Sequence, residues 1–359
     1  MSDSTTKVML SAYQARRSPT MFLTGMFQAP AENYHDSEEV EIDIMRSEED
    51  ISIAIMDLST GARLNSEDDF TNKSFKPPIH KEKGSIPAYK LIQREFGQNP
   101  FTSPDFQVNA ITRGTRLVTK MGNKIIRAME QQSSQVLQTG KVTLTDENGN
   151  AVYAIDYKPK VTHFPTASIA WDNASSTKLK DIEDLANVIR SDGLDDPDML
   201  IFGERAYELF VADTDVQVKL DSRRGEMGRI VPMDRMGNGG IYRGTIEIGN
   251  YSYELWTYAG RYKDPETGVA TKFIADNKVV IRASMGRLDA TFGGIPTIDK
   301  DTRVPAQLFT RLRDTAGVMD LQTKGWITED GETLFVQAGT RPLMIPTAID
   351  TFGCLNINI

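Results

Sequence analysis

The sequence predicts an α+β protein in which an extended amino-terminal quarter is followed by one long helix, several β-hairpins and a mixed segment of short strands and helices. Three observations carry that reading. Residues 40–58 alternate apolar and polar, with Val40, Ile42 and Ile44, then Ile51, Ile53 and Ile55, on one side, which is the period of a β-ribbon. A helical apolar period, with Ile111, Val118 and Ile125 seven apart, runs through about 105–138. From His163 onward, short apolar strands alternate with amphipathic helices.

The first hundred residues read as an arm and a long hairpin with little of their own to pack on. An isolated two-stranded ribbon is marginal in water, and the flanking stretches 24–36 and 61–104 show no second helix or sheet to cover it. The sequence therefore predicts that another subunit supplies the cover.

The helix opens after Ser103-Pro104-Asp105 and closes at Gly140, plausible start and stop signals. Met121 and Met129 lie beside its seam and Val136 extends it, although Gln131-Gln132-Ser133-Ser134 interrupts the pattern. Five cations, Arg113, Arg116, Lys120, Lys124 and Arg127, occupy the opposite face, with no acid between Phe106 and Met129. Next comes a hairpin over 141–157, whose Asn148-Gly149 pair suits a tight turn with positive φ.

Beyond it the pattern predicts an extended piece at 168–171, a helix at 177–191, a buried strand at 199–202 and a helix at 204–212. The stretch 223–240 is rich in glycine and methionine and reads as a loop. A hairpin crosses Gly249-Asn250, strands follow at 272–274 and 278–283, and further strands at 333–338 and 342–345 lead to an apolar extended tail.

Composition narrows the function. A formal charge of −9 argues against general affinity for phosphate backbones. The single Cys354 forms no internal disulfide, which fits a reducing compartment. No apolar run approaches the roughly 18 residues that span a bilayer, and Met1 to Leu23 lacks the continuous apolar core of a signal peptide. These features predict a soluble chain made in the cytoplasm, with no membrane partner.

Enzyme signatures are missing: there is no G-x-G-x-x-G, G-x-x-x-x-G-K-[ST], H-E-x-x-H or G-x-S-x-G. His35, His80 and His163 lie in separate stretches without paired acids or cysteine at metal-ligand spacing, so no metal, cofactor or catalytic residue is predicted. Asp192, Asp195, Asp196 and Asp198 form an acidic group that lacks the Gly and distal Glu of a calcium loop and reads as a solvated link. The five helix cations without aromatic or polar base readers could offer only sequence-blind attraction. They read as a solvated or ion-paired face, or as one that meets a transient acidic scaffold or a packaged polyanion.

Several segments carry a family likeness: Met21-Phe22-Leu23 with Phe27, Phe75-Lys76-Pro77-Pro78, Lys219-Leu220-Asp221-Ser222-Arg223-Arg224-Gly225, Ile274-Ala275-Asp276-Asn277-Lys278-Val279-Val280, Gly325-Trp326-Ile327-Thr328 and Arg341-Pro342-Leu343-Met344. In this order, with arm, ribbon, long helix and mixed domain, the chain resembles the major capsid proteins of lambda-like tailed phages, the phage major capsid protein E type of Hong Kong 97-like shell subunit, over nearly its whole length.

The resemblance implies an arm at 1–35, an extended loop at 36–89, and a peripheral domain at 90–165 whose spine is the long helix. An axial domain at 166–270 and returning peripheral strands at 271–359 complete it. It implies subunits that form pentamers and hexamers of an icosahedral head shell around double-stranded DNA, which they touch only weakly and without sequence preference. Its other partners would be scaffold, maturation protease, portal and a decoration protein. No fused scaffolding segment is expected before the arm. On this view Phe22, Phe27, Ile42, Ile44, Ile51 and Ile53 make contacts between subunits, and Arg113, Arg116, Lys120, Lys124 and Arg127 face the lumen or the scaffold. An encapsulin-type shell for protein cargo would share the fold, and a carboxylate-dependent hydrolase built on Asp192 to Asp198 is the non-shell alternative.

Overall fold

The computed structural model describes residues 19–35, 37, 39–44, 71–93, 106–145, 151–219, 238–264, 267–295, 311–313 and 320–359. Strands β1 (Val40–Ile44), β2 (Thr71–Phe75) and β3 (His80–Pro87) lead through a short helix, α1 (Ala88–Ile92), to the 34-residue helix α2 (Phe106–Thr139). The hairpin β4 (Lys141–Thr145) and β5 (Ala151–Asp156) is followed by α3 (Lys178–Gly193), β6 (Met199–Phe202), α4 (Glu204–Val211), β7 (Gly240–Ile248) and β8 (Tyr251–Tyr258). Then come β9 (Arg261–Lys263), β10 (Ala270–Lys272), β11 (Lys278–Arg282) and β12 (Asp289–Phe292). The chain closes with β13 (Arg311–Arg313), β14 (Asp320–Ile327), β15 (Thr333–Thr340), β16 (Pro342–Ile345) and β17 (Phe352–Asn356).

Two compact units share this chain. The first holds Met1–Val40, Phe75–Ser133 and Asp289–Ile345; the second holds Glu41–Ser74, Ser134–Leu288 and Pro346–Ile359.

In the first unit, β13, β14, β15 and β3 form an antiparallel sheet in that order. Its inner face carries Ile86, Leu334, Val336 and Ala338, all buried, and α2 lies on that face. Contact is close at Gly84, where a Cβ would stand 3.1 Å from the Leu117 side chain. The helix turns Val118, Met121, Ile125 and Met129 into the core. Gly114 and Gly122 in its interior each cost about 1 kcal/mol relative to alanine, whereas each fully buried large apolar side chain contributes about 1.5–3 kcal/mol. Packing, more than propensity, sustains this helix. A separate antiparallel pair, β12 with β16, completes the unit's strands.

In the second unit, five strands run in the order β17-β11-β6-β8-β7, antiparallel except for β6 with β8. The central β6 is wholly apolar and β11 carries Val279, Val280 and Ile281 between its charged ends, as strands buried on both faces require. Ile182, Leu185 and Ile189 of α3 and Phe210 of α4 pack with Leu200, Phe202, Val279, Ile281 and Leu355 in one cluster.

The long helix runs within a residue of its predicted bounds, and α3, β6, α4 and the β4–β5 and β7–β8 hairpins fall where the periodicity puts them. Elsewhere the structure differs. β1 shares a two-stranded sheet with β2, a partner the sequence did not mark. The remainder of the predicted ribbon, including Ile51 and Ile53, and most of the 223–240 loop lie outside the described residues.

The flank 61–104, read as bare, contributes β3, which pairs with β15 along its whole length. Residues 168–171 are not a strand; Trp171 instead donates its backbone N–H to Ile357 at 3.2 Å. β11 and β17 join the sheet of β6 and β8, because their apolar faces complete that core.

Candidate assembly surfaces

The polar interruption in the α2 seam is buried and partnered. Glu130 and Ser133 are fully buried, and the Glu130 carboxylate accepts the backbone N–H groups of Leu23 and Thr24, both at 2.9 Å, and the Thr24 hydroxyl at 2.7 Å. Those N–H groups open a 3₁₀ turn at Thr24–Met26, so the carboxylate satisfies donors that the turn itself leaves unpaired. The Thr24 and Ser133 hydroxyls lie 3.2 Å apart. Gln132 meets the ring of His80 at 3.0 Å; burial pushes the imidazole of His80 below its ordinary value, with Glu82 opposing.

Further along, Gln138 donates to the Phe273 carbonyl at 2.8 Å and accepts the Ala275 N–H at 3.1 Å, and the Ser134 hydroxyl bonds the same carbonyl of Phe273. The helix continues through this polar stretch because Gln132, Ser133 and Ser134 meet distant partners, the His80 ring, the Thr24 hydroxyl and the Phe273 carbonyl.

In the arm, Phe22 and Phe27 retain 4% and 2% exposure and are buried within the chain itself. The arm then runs beside β12: Ala290 donates to Gln28 at 2.7 Å, His35 to Phe292 at 2.8 Å, and Tyr34 stacks on Phe292 with centroids 5.0 Å apart. Residues 19–35 thus make hydrogen bonds and a ring stack within the chain itself. Ile42 and Ile44 lie on β1, while Ile51 and Ile53 lie outside the described residues.

The five cations form a stripe. Arg113, Arg116, Lys120, Lys124 and Arg127 recur at intervals of three and four, which places them within an arc of about 80° along roughly 21 Å of helix. Arg116, Lys120, Lys124 and Arg127 are exposed and Arg113 is half-buried. Arg113 donates to the Gln93 carbonyl at 3.2 Å, and Lys124 pairs with Glu82 at 2.8 Å. Both members of that pair are solvent-exposed, which makes the bond worth at most about 1 kcal/mol. The stripe can attract polyanions but holds no reader of bases.

The acidic group does not converge. Asp192 bonds Lys160 at 2.9 Å and His163 at 3.1 Å, Asp196 bonds Arg190 at 2.9 Å, and Asp198 caps the Ser284 N–H at 2.7 Å. His163 is held on its other nitrogen by the Phe352 carbonyl at 2.7 Å. Among the described residues no group of three or more His, Cys, Asp and Glu could hold a metal ion, and no helix is long and apolar enough to cross a membrane.

Two of the signature segments meet in space: the Arg341 guanidinium donates to the carbonyls of Pro77, at 3.4 Å, and Gly294, at 3.1 Å. Sequence reasoning had both motifs but no means of pairing them.

The fold aligns with a prophage protein of Escherichia coli CFT073 described as a capsid protein, over 97% of each chain, with a TM-score of 0.61 and 18% identity. It also aligns with a phage-related protein of Bordetella bronchiseptica RB50, over 98% of this chain and 96% of the other, with a TM-score of 0.55 and 11% identity. The fold is thus that of phage shell subunits, the Hong Kong 97-like class. No curated protein matches the chain. The chain belongs to the phage major capsid protein E family, whose profile matches residues 5–353. It is a structural protein of the virion shell, self-assembling and not an enzyme.

Proposed function

We propose that this subunit forms pentamers and hexamers that close into an icosahedral head around phage double-stranded DNA. The observation that carries the reading is the family match across residues 5–353. Closed symmetry multiplies each contact between identical copies, and specific contacts of this kind bury more than about 1,000 Å² each.

In this reading the loop at 36–89 lies across a neighbour and presents Ile42, Ile44, Ile51 and Ile53 to it. The helix stripe faces the lumen, where it meets first a scaffold and then DNA. Assembly takes place in the host cytoplasm with scaffold, maturation protease and portal, and a decoration protein joins the outer surface.

Expression of the full chain with its head-assembly partners, followed by negative-stain microscopy, tests the reading. Round, hollow particles of uniform size that protect DNA from nuclease are expected. Particles holding protein cargo and no protected DNA would move the assignment to an encapsulin-type shell.

A further inference from the structure

The sheet of the first unit has a second face, turned away from α2. Cross-strand partners share a face, and the register places Lys83, Gln337 and Lys324 in one row, with Phe335 and Trp326 side by side in the next. Trp326 and Phe335 stack with centroids 5.5 Å apart and are half-exposed. The Lys83 ammonium lies 3.9 Å from the Phe335 centroid and 5.0 Å from that of Trp326. Lys81 extends the same face, and none of these rows contains a carboxylate. Aromatic surface ringed by cations is a seat for a segment that is both apolar and acidic.

The chain contains such a segment. Residues 36–70 hold 12 Asp and Glu against two Arg, a net of −10, so the remainder of a chain whose total is −9 sums to +1. The whole acidic excess is concentrated there, interleaved with isoleucines at 42, 44, 51, 53 and 55. The α2 stripe is a competing basic surface, but it offers cations without aromatics. It could neutralise the acids and would leave the isoleucines in water.

We infer that the sheet face centred on Lys83, Trp326 and Phe335 seats the acidic, isoleucine-bearing loop of a second copy of this chain. The inference rests on the reading that the loop crosses to a neighbour, and it names the surface that receives it. Charge complementarity between copies sets the register and discourages wrong pairings.

The test uses two full-length variants, a face variant (Lys83→Glu with Lys324→Glu) and a loop variant (Glu48→Lys, Glu49→Lys and Asp50→Lys), with circular dichroism and melting curves to confirm folding. Assembly is read by sedimentation. Each variant alone is expected to lose assembled material by about tenfold or more. A mixture of the two should recover part of the lost assembly, because the reversed segment 48–50 of one variant then meets the reversed face of the other with opposite local charge.

Normal assembly by the face variant while the loop variant fails would overturn the seat and leave the loop reading intact. Normal assembly by the loop variant would overturn both. A mixture that stays unassembled from two folded components also rejects the seat. If either reversal impairs folding, Lys83→Gln with Lys324→Gln replaces it: assembly that weakens with salt in the parent should lose that dependence in the variant, and an unchanged salt response rejects the inference.

Discussion

Glu130 lies in the middle of a 34-residue helix, 107 positions from Leu23, and its carboxylate is the acceptor that holds the backbone of Leu23 and Thr24 at 2.9 Å. Glu130→Ala would leave two backbone donors and one hydroxyl without that acceptor in a buried site. The expected loss is at least about 2 kcal/mol, since unsatisfied buried groups cost about 1–3 kcal/mol each. Urea unfolding measures it, and limited proteolysis should open new cleavage near Met21 to Phe27. A variant within about 0.5 kcal/mol of the parent, the range of ordinary surface changes, and equally resistant to protease would mean the arm is held by something else.

Gly140 ends α2 with φ at 64° and donates to the Val136 carbonyl at 2.8 Å, a left-handed cap. A Cβ there would lie 2.3 Å from Cγ of Pro159. Gly140→Ala therefore meets both backbone strain and a clash, and should cost about 2 kcal/mol or more. Adding Pro159→Ala removes the closest contact, at Cγ, and leaves the strain and a Cβ contact at 3.0 Å, so the double variant should recover part of the loss. Equal unfolding midpoints for parent and Gly140→Ala would contradict the cap geometry.

The long helix was legible because its apolar period persists over many turns; the roles of Glu130, Gln132, Ser133 and Ser134 were not. Polar residues in a seam look like an ending until their partners are known, and those partners, Leu23, His80 and Phe273, are far away in sequence. Strand β3 was invisible for another reason. Its sequence, His-Lys-Glu-Lys-Gly-Ser-Ile-Pro, has weak strand propensity, and its extended form comes from pairing with β15. Phe22 and Phe27 stood out as anchors, yet sequence alone does not say whether an aromatic residue in an arm is covered by its own chain or by a neighbour. The acidic excess of residues 36–70 was open to reading, but the Lys83, Trp326 and Phe335 face required the register of three strands.

Cys354 sits on β17 opposite Val280, 1% exposed. Burial pushes its thiol up to about 12, and the thiolate is the reactive form. The folded subunit should therefore resist a disulfide reagent such as Ellman's at pH 8 and react stoichiometrically once denatured. Rapid reaction in the native state would show that β17 opens readily from the five-stranded sheet.

Asp192 provides the pH dependence. The hydrogen bond from Lys160 holds its carboxyl below the ordinary carboxylate value, burial opposes this, and the bond from His163 adds to the lowering. A carboxyl whose folded value is depressed contributes stability that is fully present above its unfolded value, about 3.9, and is lost as pH falls through the lower folded value. The gap in melting temperature between the parent and Asp192→Asn should then be constant from about pH 5 upward and close progressively below about pH 4. Lys160→Met should shift that closing to higher pH, because the principal cause of the lowering is gone. Thermal melts from pH 6 to pH 2 measure all three proteins. A gap that stays constant across that range would show that Asp192 is held by packing and not by its charge.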